Sequence, residues 1–138
     1  MRALRWILLP IVCIAAWLAA LFAGILAHSI AESFCPAEQM ISGMCVAPWF
    51  ETLHTWLIHF FSAFAAALII SSAYFIAPAA RPLIAWIVFG AGAAYALWLA
   101  VVASAWGEFV AAGAGGLATV LLLTRRWNSS NRVATQRA

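Results

Sequence analysis

The sequence predicts an all-α integral membrane protein, a bundle of four transmembrane helices running up and down through the bilayer with both termini cytoplasmic. Three observations predict it. First, 67% of the 138 residues are apolar and only 8% are charged, against roughly a quarter charged in ordinary globular domains, so the bilayer is the natural solvent. Second, the apolar residues fall into four runs, each close to or above the roughly 17 residues that a helical span needs. Third, when the runs are threaded alternately through a membrane, all seven basic residues, every one an arginine, fall on the same side, as the positive-inside rule requires.

The first run, Trp6 to Ala27, has 22 residues and follows Met1-Arg2-Ala3-Leu4-Arg5. A secretory signal has an apolar region of roughly 7 to 15 residues, so a retained transmembrane helix over residues 6–27 is the preferred reading. Pro10 lies near its cytoplasmic end, harmless in the first turn and a source of a kink beyond it. Ala15, Ala19, Ala23 and Ala27 recur at four-residue spacing, as do Ala16, Ala20 and Gly24. Small residues in such rows let helices approach closely in lipid, although an alanine-rich sequence also makes such rows by chance.

A polar outer loop over residues 28–49 follows, and with the next few residues it forms the island Phe34 to Glu51, FCPAEQMISGMCVAPWFE. The second helix is expected over 50–76, with Glu51, Thr52, His54, Thr55 and His59 making its outer end more polar than the rest. Pro78, Arg81 and Pro82 stop it and start the third helix, 83–103, because proline disrupts a helix interior but suits a first turn. Ser104 to Glu108 makes a turn into the fourth helix, 106–124, which carries Gly113, Gly115 and Gly116. Arg125-Arg126-Trp127 ends the membrane portion, and residues 125–138 are expected to form a short polar cytoplasmic tail, disordered beyond Trp127.

This threading puts Glu32, Glu38, Glu51 and Glu108 on the side opposite the arginines. Trp6, Trp86 and Trp127 then mark the inner interface, and Trp49, Trp56 and Trp106 the outer one, as an aromatic belt predicts. Trp17 is the exception, near mid-membrane. The expected location is a bacterial inner membrane, with loop 28–49 periplasmic.

Cys35 and Cys45 lie in that oxidising compartment, so a disulfide is the first reading. Nine residues separate them, whereas redox-active pairs usually come as Cys-x-x-Cys. Cys13 lies inside the first helix and reads as an inert apolar residue. His28, His54 and His59 all lie towards the outer ends of the first two helices. His28 and Glu32 are four apart, and Glu51 and His54 three apart, so each pair shares a helix face. If the two faces meet, His28, Glu32, Glu51 and His54 make a candidate site for a transition metal such as zinc or copper. The same histidines, with His59, are candidate haem b ligands, since two imidazoles on adjacent helices suffice for axial ligation. His59 is turned about 140° from His54 on an ideal helix, so the two do not point into one site. Against both readings stands the plain alternative that these side chains are solvated among the headgroups, and the preferred expectation is no cofactor.

The absence of lysine and aspartate removes most phosphoryl-transfer schemes, which need a phosphate-binding lysine or a magnesium-binding aspartate. A formal charge of +3, confined to tails and one turn, does not argue for nucleic acid. No charged residue lies at mid-membrane in any of the four runs, so a small oligomeric transporter, a third reading, lacks an obvious coupling group. The function expected is that of a small accessory or interaction protein without catalytic activity, packing against a membrane partner or a second copy through its Ala/Gly faces. A haem- or metal-binding redox protein is the alternative.

Overall fold

An apolar stretch in lipid has no water to satisfy its backbone and must close its hydrogen bonds within itself, as helix. Four stretches do so in the computed structural model, which describes the backbone of residues 2–136 and the side chains of 4–129. Helix α1 runs from Arg2 to Ser33, α2 from Pro48 to Ile76, α3 from Arg81 to Ala103 and α4 from Trp106 to Gln136. All four are long and apolar enough to cross a membrane. Arg137, one of the seven arginines that orient the chain, lies outside the described residues, as do the side chains of Arg2 and Arg132.

The helices overrun the expected bounds mainly at two places. The first helix starts before Trp6 and continues to Ser33, so His28 and Glu32 are helical rather than the opening of a loop. Pro10 consequently sits inside α1, where it removes the hydrogen bond that the Trp6 carbonyl would accept. At the other end α4 does not stop at Thr124 but continues through Arg125 to Gln136, in place of the disordered tail. The reason is local: no proline or glycine follows Gly116, and Trp127 packs on the core and anchors the extension.

Between α1 and α2 the chain forms a β-hairpin. Strands β1 (Met40–Ile41) and β2 (Met44–Cys45) pair antiparallel, with Met40 opposite Cys45 and Ile41 opposite Met44. The two turn residues, Ser42 at φ 51° and Gly43 at φ 81°, both take the positive φ that a type I′ turn demands. The Val46 N–H donates to the Gln39 carbonyl at 3.0 Å and extends the ladder by one rung. Cys35 and Cys45 are joined in a disulfide with Cα atoms 5.9 Å apart, which ties the end of α1 to the hairpin.

Contacts fix how the helices neighbour one another. Late residues of α1 meet early residues of α2, with Ala31, Ala47 and Phe50 forming a small buried cluster against the disulfide. Early residues of α4 meet early residues of α2, Gly107 lying on His59 and Gly115 on Ala63. At the far end Ile70, Tyr74, Ala85 and Val120 join α2, α3 and α4 in the main core. At Gly115 the approach is to backbone: a Cβ there would stand 2.7 Å from the Ala63 carbonyl oxygen and 2.9 Å from its Cα. Only glycine lets the two backbones come so close.

Most large apolar side chains face outward, among them Phe22 at 66% exposed, Trp56 at 67% and Val101 at 65%. In water such a surface would be a liability, whereas in lipid it is the expected exterior. Among the described residues no polar side chain is fully buried. Helix hydroxyls bond back to their own turns instead, as Thr119 Oγ1 does to the Gly115 carbonyl at 2.8 Å and Thr124 Oγ1 to that of Val120 at 2.9 Å.

Candidate functional site

The polar residues that the sequence singles out are carried by the meeting ends of α1 and α2. Phe50 is buried against Ala31, and this packing turns the face of α2 that holds Phe50 and His54 towards α1. On that face the His28 and His54 rings meet edge to face with centroids 4.9 Å apart. Phe50 completes the group, stacked on His54 at 6.2 Å and edge-on to His28 at 5.5 Å. On the other side of His28, its Nδ1 lies 3.6 Å from Glu32 Oε2. A protonated His28 would therefore be held between a carboxylate and an aromatic cage.

Of the four candidate metal ligands, His28 lies against both Glu32 and His54, while Glu51 is exposed. Glu51 follows Phe50 by one residue, about 100° round the helix, and its side chain is exposed. Among the described residues no three histidine, cysteine or acidic side chains come together as a metal-binding group. His59 is placed elsewhere: it lies edge-on to Trp56 at 6.3 Å and so close to Gly107 of α4 that a Cβ at 107 would overlap its imidazole. His59 is thus a packing partner of α4, half-buried, and Gly107 is what makes room for it.

Below the histidine pair a cleft of about 430 Å³ follows the α1–α2 seam past Gly24 and Phe61 to Trp17. A second cavity of about 410 Å³ lies between α2, α3 and α4. Its walls are apolar and largely built from small residues, including Gly92 and Gly113, neither of which would meet anything within 4 Å if it carried a Cβ. One carboxylate lines it, that of Glu108 in the first turn of α4, together with Ser62 and Tyr95. Trp17 and Ser62 border both cavities. Trp17, the tryptophan out of place in the aromatic belt, is therefore a shared wall.

The chain matches no protein-family model, no curated protein and no solved structure.

The second cavity was invisible in the sequence, where Glu108 is only an acid at the start of the fourth helix, on the side opposite the arginines. Its signal is distributed over three helices: Ala65 and Ala66, Gly92 and Ala93, and Ala112 and Gly113 are small side by side, and only the packing shows that they face one another.

Proposed function

We propose that this chain is a small, non-enzymatic accessory protein of the bacterial inner membrane that associates with a membrane-embedded partner or a second copy through the lipid-facing side of α3. One observation carries this reading. Glycine costs a helix roughly 1 kcal/mol relative to alanine, and Gly24, Gly107, Gly115 and Gly116 offset that cost by letting another helix approach. Gly90 has no such use within the chain, since a Cβ there would meet nothing within 4 Å. Four residues on lies Ala94, and both are exposed. A small-xxx-small pair on an outer helix face is the arrangement by which helices associate in lipid.

In native membranes, Gly90→Cys in a Cys13→Ser background is expected to cross-link under mild oxidation to a second copy, or to a partner that carries a thiol at the seam. Gly90→Leu is expected to lose at least tenfold of the associated fraction on size-exclusion chromatography in mild detergent, with helix content by circular dichroism unchanged. Undiminished association in Gly90→Leu would refute this use of α3.

The proposed threading is up-down-up-down with both termini cytoplasmic and the hairpin periplasmic. It is supported by the order in which the helices meet and by the position of Arg81 at the start of α3, on the side of Arg125 and Arg126 at the far end of the core. A membrane-impermeant thiol reagent applied to intact spheroplasts is expected to label Cys35 and Cys45 only after reduction. Labelling confined to inverted vesicles would reverse the orientation.

A further inference from the structure

The geometry points to a binding site for an amphiphilic cation, a molecule with one positive charge and an apolar body, in the cavity between α2, α3 and α4. At about 410 Å³ this cavity lies within the size range of small-molecule sites. Its lining holds one acidic side chain, that of Glu108, and no basic residue. The sign of a carboxylate charge selects the ligand. An anion would meet repulsion from Glu108 in a low-dielectric wall, and a neutral molecule would gain nothing from it, whereas a monocation is neutralised by it.

The lining is mixed, one carboxylate and two hydroxyls among apolar side chains. Glu108 stands in the first turn of α4, and the same lining carries the hydroxyls of Ser62 and Tyr95 and the ring of Trp17, group types that suit an ammonium head. Ile70, Val88 and Phe89, which belong to or pack on the main core, supply hydrocarbon and aromatic wall. Room for the body exists because Gly92 and Gly113 present no side chain into it. Glu108 at the start of a helix also complements the helix dipole, a role satisfied by the carboxylate alone. That role accounts neither for the space in front of it nor for the small residues that keep the space open.

Three probes with one body separate these roles in the full-length protein reconstituted into nanodiscs: pyrenemethylamine, pyrenemethanol and pyrenecarboxylate, read by energy transfer from tryptophan. Saturable binding is expected for the amine, at least tenfold tighter than for the alcohol, with none for the carboxylate. Glu108→Gln is expected to abolish the preference for the amine, and Gly113→Leu to remove saturable binding of every probe. Glu38→Gln, an acid on the hairpin side of the disulfide, is the control that changes neither. Equal affinities of amine and alcohol, or a preference that survives in Glu108→Gln with native helix content, would overturn the site. Should Glu108→Gln fail to fold, Gly113→Leu and the probe series on the unaltered chain decide the matter. The outcome is independent of association through Gly90, which is read by size and cross-linking rather than by probe binding.

Discussion

Gly115→Ala is expected to destabilise the protein by about 1–3 kcal/mol, the usual cost of overpacking a close-packed core, and Gly115→Leu to leave α2 and α4 unable to dock. The added Cβ would meet three Ala63 atoms at once, its carbonyl oxygen at 2.7 Å, its Cβ at 2.8 Å and its Cα at 2.9 Å. Two of these atoms belong to helix backbone and the third is fixed directly to it, so no rotamer change relieves the overlap. The helices themselves must separate, and every contact between α2 and α4 weakens together, from His59 on Gly107 to Tyr74 beside Val120. Thermal unfolding in mild detergent followed by circular dichroism measures the effect. A Gly115→Ala protein that melts with the parent would show that the two backbones are not held this close. Gly90→Ala provides the contrast, since an exposed helix glycine with nothing near it should gain a few tenths to about 1 kcal/mol on becoming alanine.

Removing the disulfide, as Cys35→Ser with Cys45→Ser, is expected to cost just under about 3 kcal/mol, the loop-closure value for a crosslink between residues 10 apart in sequence. The whole of that figure applies only if the unfolded loop is free. Here α1 and α2 still anchor its ends in the bilayer when the hairpin melts, so the measured loss should fall below it. The effect should also be local. Ala31, Ala47 and Phe50 pack directly on the two cysteines, and Phe50 in turn positions His28 and His54. Hydrogen exchange is expected to rise over the hairpin and the first turns of α2 while α3 and α4 keep their protection. Loss of protection in α4 would mean that the disulfide clamp governs the whole bundle.

The parts of this fold that depend on one stretch of chain were readable in the sequence. Four apolar runs, the turn at Pro78 and Pro82, and the pairing of Cys35 with Cys45 each follow from composition, spacing or compartment, and all appear in the structure. Features that need two helices to meet were readable only in part. Spacing put His28 beside Glu32 and named His54 as their neighbour if the two helix faces met, and the structure holds the His28 and His54 rings 4.9 Å apart. Glu51 is exposed, and the helix rotation that decides this, set by the burial of Phe50, could not be known beforehand. The hairpin was missed although Ser42-Gly43 is a turn signal, because strands of two residues carry too little alternation to be recognised. The cavity at Glu108 was beyond sequence reading for a simpler reason: empty space has no residues of its own.

Ala80 and Ser104, at the two ends of α3, both occupy the left-handed region, with φ at 49° and 55°. For residues other than glycine this conformation costs roughly 1–2 kcal/mol each, so neither turn would choose it unaided. The packing of Ala85 and Phe89 on the core holds α3 in place against that preference, like a door closed on two sprung hinges. The door is also one wall of the cavity at Glu108. The guest proposed for that cavity would touch α3 directly, and its binding would add to the packing that seats the helix, as a latch does.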